Sequence, residues 1–402
     1  MLQKINKAYN FRIYPTRAQR CLLNKTFGCS RLVYNTLLSS FSKVQVLKKE
    51  KELKILFPFL KEVDSIALQQ SRMNLQSAIK AFFDKKRKRK SGFPQYKSKK
   101  VSKASYRTCS TNENIKIDFD THHLILPKVG RIRYRDQRAF NQPIRSVTVS
   151  KTKAGSYYAA LLVNENISVS FPERILESEV IGLDMGVVNI VTSDKGEKIA
   201  APRIFRALEG RLARVQRRHA RRVKGSKGRE KQRIKVAKVH EKIAHKRKDF
   251  LHKLSTQITN DYKAIGIEDL NIKGMMQNGK LAKSTADVGW ANFASMLQYK
   301  SDWRGRYLIK IDRYFPSSKT CNVCGYKNAD LKQGDKVWVC PSCGQYHDRD
   351  ENAGINIKKQ VLNTLGTRGI YAGGDCVRPC MGHVYMTGLD RATVVESRSP
   401  SL

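Results

Sequence analysis

Four cysteines carry the most specific chemistry in this chain: Cys321 and Cys324 in "CNVC", Cys340 and Cys343 in "CPSC". Two C-x2-C pairs separated by fifteen residues have the spacing of a tetrahedral four-thiolate zinc site, each pair supplying two ligands from one tight turn. Gly325 and Gly344 follow the pairs directly, where a turn needs a residue without a Cβ. With four ligands supplied and no open position, the expected zinc is structural. Cys376, Cys380 and His383 stand in a weakly patterned tail and read as incidental.

A second set of residues is dispersed. Asp184 sits inside the apolar run "VIGLDMGVVNIV", Glu268 ends "AIGIE", and Asp350 stands just before the helical pattern "ENAGINIKKQVL". Each has a modest explanation by itself: a turn residue, a strand-end charge, a helix cap. For Asp184 that explanation is strained, because a carboxylate in an apolar strand is costly unless paired or bound to metal. Brought together, three carboxylates would form a Mg²⁺ site suited to phosphodiester hydrolysis, with two metals activating water and stabilising the leaving oxygen.

The elements that must position these groups follow from hydrophobic period. "KAYNFRIY" (7–14) alternates with Tyr9, Phe11 and Ile13 on one face and reads as a strand ended by Pro15. "TRAQ" has capping-box spacing, so a helix is expected from Arg17. A second helix is expected from about Asp64 to Asp84, with Leu68, Leu75, Ile79 and Phe82 along its stripe. The segment "KKRKRKSGFPQYKSKK" (85–100) reads as a basic linker whose aromatics could stack on bases. From about 104 to 170 short strands follow one another, and with the N-terminal strand they are expected to build a β-barrel interrupted by helices. A new domain opens at 179–199 with a buried strand, a glycine turn and a returning strand. Two long basic helices (203–223 and 229–262), a buried strand at 264–270, a helix near 287–305 and a strand at 307–312 come next.

Composition narrows the partners. Lys and Arg number 78 against 34 Asp and Glu, a net charge of +44, which predicts a polyanionic partner and salt-dependent binding. The charge is spread along the whole chain, which argues against a single membrane-surface helix. No apolar run is long enough to span a bilayer, and the N-terminus lacks a secretory apolar core. Nine cysteines with no paired framework fit a reducing compartment, so the expected location is the cytoplasm.

The segments "IGLDMGVVNIVTSD", "GIEDL", "FPSSKTCNVCG" and "CPSCGQYHDRDENAGINI", with "EVDSIALQ", "GFPQYKSK" and "RKDFLHKLS", closely resemble TnpB proteins, transposon-encoded RNA-guided endonucleases related to type V CRISPR effectors. The resemblance runs over roughly residues 5 to 365. It implies an α/β RuvC-like nuclease of RNase H fold with an inserted four-cysteine zinc ribbon, beside a wedge-type β-barrel interrupted by a helical recognition lobe. The implied layout is wedge barrel at 1–16 and 104–172, and recognition lobe with basic linker at 17–103. The nuclease domain would occupy 173–370, with a helical insertion at 203–262 and the ribbon at 317–347, before a disordered tail at 371–402. The acidic triad of the family maps onto Asp184, Glu268 and Asp350, with Asp348 as the near alternative. Ser65, Gln69 and Thr111 fall at positions that read a short DNA motif, and Gln suits bidentate contact with adenine.

By this resemblance the partners are a guide RNA transcribed from the transposon end and double-stranded target DNA, with one protein per RNA. The rival on the same fold is a non-catalytic RNA-guided binder, repressor or transposase accessory. All three acids are present, which favours the nuclease. A transposase that itself joins ends would need an HUH pair or a catalytic Tyr context, neither of which stands out. A ribosomal-type RNA-binding protein would leave Asp184 unexplained.

Overall fold

The computed structural model describes residues 2–366 apart from 45–49, 85, 87–90, 278, 280–281 and 333, together with 376–377 and 394–396. The expected tail at 371–402 lies outside the described residues except for those two short segments, and part of the basic linker, 85 and 87–90, does too. Two compact units emerge, one mainly Lys4–Asn166 and the other mainly Ile167–Gln232 with Val239–Asp390.

The first unit begins with β1 (Leu2–Tyr14), α1 (Arg17–Val44), α2 (Glu50–Leu56) and α3 (Ser65–Phe83). It continues through β2 (Ala104–Cys109), β3 (Lys116–Asp118), β4 (His123–Leu126), β5 (Gly130–Arg135), β6 (Ile144–Lys151) and β7 (Tyr157–Ser168). The strands form one sheet in the order β2-β6-β7-β1-β5-β4-β3. Tyr9, Phe11 and Ile13 of β1 all enter its core, as the alternation requires. The capping box of α1 is complete: Gln19 N–H donates to Thr16 Oγ1 at 3.4 Å, and Thr16 N–H to Gln19 Oε1 at 2.9 Å. In α3, capped by Asp64, Leu68, Leu75 and Ile79 are buried, but Phe82 is exposed and meets Phe93 edge-on at 5.3 Å.

The second unit holds β8 (Ile175–Leu176), β9 (Val180–Asp184), β10 (Asn189–Ser193), β11 (Lys198–Ala200), α4 (Ile204–Ala220), α5 (Lys227–Asp261) and β12 (Ala264–Glu268). After these come α6 (Ile272–Gln277), α7 (Ala282–Val288), α8 (Trp290–Arg304), β13 (Tyr307–Ile311), β14 (Val337–Val339), β15 (Tyr346–Asp348) and α9 (Arg349–Gly366). Five strands form a mixed sheet in the order β11-β10-β9-β12-β13, with β9, β12 and β13 parallel and β10 and β11 antiparallel. β14 and β15 pair as a separate two-stranded ribbon. The fold is thus mixed α/β with several sheets and a cysteine cluster.

The central sheet is covered by a helix on each face. Ile181 and Leu183 of β9 line a small cleft with Leu254 and Ile258 of α5, while the alternate residue Gly182 faces α9. A Cβ on Gly182 would lie 2.1 Å from Gly354 O, and one on Gly266 would lie 2.5 Å from Val361 Cγ2. Glycine at both positions is therefore what lets α9 lie directly on the strands. Val180, Ala264, Tyr307, Ile309, Val361 and Leu365 pack together in the resulting core. Among the described residues, no helix is long and apolar enough to cross a membrane.

Candidate active site

Side chains alternate along a strand, so residues two apart share a face. Asp184 is two residues beyond Gly182, and Glu268 two beyond Gly266; both carboxylates therefore share the α9 face of the sheet. Both stand at the C-terminal ends of their strands, which are parallel neighbours in register from Ala264↔Val180 to Ile267↔Leu183. Asp184 is the last residue of β9 and not the interior of one strand through the whole apolar run, because the chain leaves the strand at Met185–Val188 before β10 begins. Asp350 lies in the first turn of α9, four residues before Gly354, the contact over Gly182. The fold thus brings all three acids to one edge, where parallel strands of open α/β sheets place their ligands.

The electrostatics agree. The Asp184 carboxyl is pushed up to about 8, chiefly by burial and then by the negative charge of Glu268 and Asp350, with Arg349 and Lys336 working against it. Burial also raises Glu268, partly offset by the hydroxyl of Ser317, which donates to its Oε1 at 2.7 Å. Lys336 Nζ approaches Asp350 Oδ2 at 3.3 Å. Among the described residues, the four cysteines are the only group of three or more candidate ligands with atoms all within 4.8 Å of one another. The three carboxylates do not form so close a group.

Asp348 and Asp350 separate clearly. Helix α9 begins at Arg349, earlier than the sequence pattern implied, so Asp348 is its cap: Oδ1 accepts from the amides of Asp350 and Glu351, both at 3.1 Å. Its Oδ2 accepts from Lys198 Nζ at 2.6 Å. Burial would raise this carboxyl, but Lys198 and the Glu351 amide outweigh it and hold it below the usual range. Both oxygens of Asp348 are thus engaged in capping and pairing, while Asp350 acts on Asp184 as a nearby negative charge.

The cysteine cluster has the dimensions of a thiolate tetrahedron. Cys321 Sγ lies 3.7 Å from Cys343 Sγ, and Cys324 Sγ 3.6 Å from Cys340 Sγ, close to the edge of roughly 3.8 Å that four Zn–S bonds of about 2.3 Å require. The Tyr326 amide draws the Cys324 thiol down while the other cluster sulfurs push Cys343 up, so the four thiols are close enough to titrate together. His347 Nε2 sits 3.1 Å from Cys321 Sγ and its ring packs on Trp338 at 4.7 Å. The donor set fits a structural zinc.

Comparison with known proteins gives this geometry a family. Family models described as "Helix-turn-helix domain", "Probable transposase" and "Cas12f1-like, TNB domain" match residues 1–43, 163–279 and 290–357. A mimivirus protein described as TnpB-like is 32% identical over 32% of this chain and 25% of its own. A Streptomyces pristinaespiralis protein described as a candidate RNA-guided DNA endonuclease is 38% identical over 94% of both chains. The chain belongs to the TnpB family. Among solved structures, the protein of a Cas12f1–sgRNA–target DNA complex aligns with 88% of this chain and 99% of its own, at 12% identity and a TM-score of 0.46.

Within this TnpB-family chain the motif-reading candidates belong to the first unit. Ser65 and Gln69 share an exposed face of α3 at i, i+4. Thr111 is exposed in the turn after β2, its hydroxyl accepting from Asn114 Nδ2 at 3.3 Å. Sequence reasoning missed Asp194 and Lys358. Asp194 Oδ1 accepts from the Gly182 amide at 3.1 Å, and its Oδ2 pairs with Lys358 Nζ at 3.0 Å, pinning α9 to the sheet edge. The only hint was an Asp following a buried strand, which reads as any turn residue.

Proposed function

We propose that this chain is an RNA-guided DNA endonuclease that hydrolyses phosphodiester bonds at Asp184, Glu268 and Asp350. The observation that carries the proposal is the gathering of three carboxylates at the C-terminal edge of the β9–β12 pair in a chain of net charge +44. Carboxylates close enough to raise one another are costly even with Lys336 and Arg349 nearby, and cations that bridge them to phosphate would offset that cost. The candidate function of the Streptomyces relative, aligned over nearly its whole length, supports the same reading.

The mixed sheet, antiparallel at one edge and parallel at the other, supports an RNase H-type, RuvC-like nuclease over 173–370 carrying the zinc ribbon at 317–347. The β1–β7 sheet supports a wedge-type barrel formed from 1–16 and 104–172, with the helices of 17–103 as recognition lobe. Mg²⁺ held by the three carboxylates would supply water activation and charge stabilisation at the leaving 3′ oxygen. The chain's own part is to orient and to bind. Glycines 182 and 266 bring α9 onto the strands, Ser317 holds Glu268, and Lys336 and Arg349 lower the cost of ionising the acids. The basic helices α4 and α5 would line the channel for a guide–target heteroduplex. Ser65, Gln69 and Thr111 would read the motif beside the target.

The test is to purify the chain with its bound RNA, sequence that RNA, and assay plasmid cleavage against a randomised flank in Mg²⁺. Asp184→Ala should keep RNA and target binding and lose cutting. Undiminished cutting by that variant would overturn the assignment. Binding without cutting by the wild type would instead favour the non-catalytic RNA-guided binder.

A further inference from the structure

Glu268 and Asp350 sit on separate elements, and one half-buried turn, with Ser317 buried within it, links them. Residues 315–320 lie between β13, which ends at Ile311, and the first cysteine of the cluster. Ser317, 4% exposed, donates its hydroxyl to Glu268. On the other side the same turn is fastened to α9. Ser317 O accepts from Nδ2 of Asn352 at 3.4 Å and of Asn356 at 2.8 Å, and Thr320 O accepts from the same two amides at 2.8 and 2.7 Å. Asn352 Oδ1 then accepts from the amide of Asn322, inside the first cysteine knuckle, at 3.0 Å. Asn352 and Asn356 are four residues apart, on one buried face of α9, and Asn352 is two residues beyond Asp350.

A carboxamide buried on a helix is retained where its hydrogen bonds are met, and here the Nδ2 groups of both asparagines are spent on this turn. The turn's last neighbour is Cys321, itself 1% exposed and a member of the cluster. One set of hydrogen bonds therefore runs from the Asn322 amide of the first knuckle through Asn352 and the turn to Glu268, and the helix that carries Asn352 also carries Asp350.

We propose that Ser317 is a positioning residue, and that residues 315–320 are a bridge through which closure of the cysteine cluster sets the spacing of Glu268 and Asp350. The inference rests on reading the three acids as a divalent-metal site. Groups that orient metal ligands are worth roughly 10–100-fold in metal affinity or activity. Ser317→Ala is therefore expected to raise the Mg²⁺ concentration for half-maximal cleavage about tenfold, at the low end of that range.

The experiment uses the full chain with its guide RNA for cleavage, and the full chain alone for Mn²⁺ binding followed by electron paramagnetic resonance. Ser317→Ala should weaken Mn²⁺ binding by the same factor while zinc content and RNA retention stay at wild-type levels. Ser317→Thr, which keeps the hydroxyl, should restore both. Removing zinc from the wild type should weaken Mn²⁺ binding similarly, and removing it from Ser317→Ala should add little, because both act on one bridge. Asn356→Leu breaks the bridge from the α9 side and should match Ser317→Ala. Wild-type Mn²⁺ affinity in Ser317→Ala, or equal and additive losses from zinc removal and substitution, would overturn the proposal. Should Ser317→Ala fail to fold, Asn356→Leu and the zinc-stripped wild type decide by the same criterion. Asp184→Asn separates the two readings: if it still cuts, the metal-site assignment fails. If it is inert while Ser317→Ala binds Mn²⁺ normally, the bridge alone fails.

Discussion

Asp184→Asn keeps the side chain's shape and removes one titrating carboxyl, so it isolates the cost of holding that charge at the sheet edge. In the fold the carboxyl titrates at about 8, against 3.8 ordinarily. A carboxyl raised in the fold contributes stability that is complete below its unfolded value and is lost as pH rises through its folded value. The wild type should therefore lose folding free energy between pH 4 and pH 8. At about 1.36 kcal/mol per pH unit the interval sets a ceiling of about 5–6 kcal/mol. Partial solvent contact and coupling to Glu268 and Asp350 bring the expectation down to about 2–3 kcal/mol. Urea denaturation without added divalent cations, at several pH values, measures it. The variant should be more stable than the wild type by that amount at pH 8 and equal to it near pH 4. Mg²⁺ at about tenfold above its dissociation constant should stabilise the wild type at pH 8 by about 1.4 kcal/mol and leave the variant unmoved. A variant no more stable than the wild type at pH 8, or one that gains as much from Mg²⁺, would refute the reasoning.

Asp348→Ala removes the α9 cap and the Lys198 pair and should cost about 1–2 kcal/mol in denaturation while cutting persists. Asp350→Ala should abolish cutting with stability near wild type. Gly182→Ala places a methyl group 2.1 Å from Gly354 O; lifting α9 off the strands should cost more than about 3 kcal/mol, visible as a lowered Tm and rapid proteolysis. Lys358→Met strands the buried Asp194 carboxylate and should destabilise by about 3–5 kcal/mol, with Asp194→Asn on the same background recovering part of the loss in a double-mutant cycle.

The zinc ligands were legible because each pair is close in sequence and the turn between its members is local. The alternation of Tyr9, Phe11 and Ile13 and the capping box at Thr16–Gln19 were legible for the same reason: strand period and helix start are short-range properties. The acids were visible as anomalies, above all Asp184 in its apolar run, yet nothing local brings Asp184, Glu268 and Asp350 together. That depended on β9 and β12 pairing in parallel and on two glycines admitting α9 against them. Asp348 and Asp350, two residues apart, were nearly equivalent as sequence; only the start of α9 and the reach of Lys198 made one the cap and freed the other. Ser317, Asn352 and Asn356 carry no signal of their own, since a serine in a turn and asparagines on a helix are commonplace. Periodicity and ligand spacing record what a residue does with its near neighbours. Which distant side chain a hydroxyl or carboxamide meets is decided by long-range packing, and here that packing alone joined the cysteine cluster to the acids.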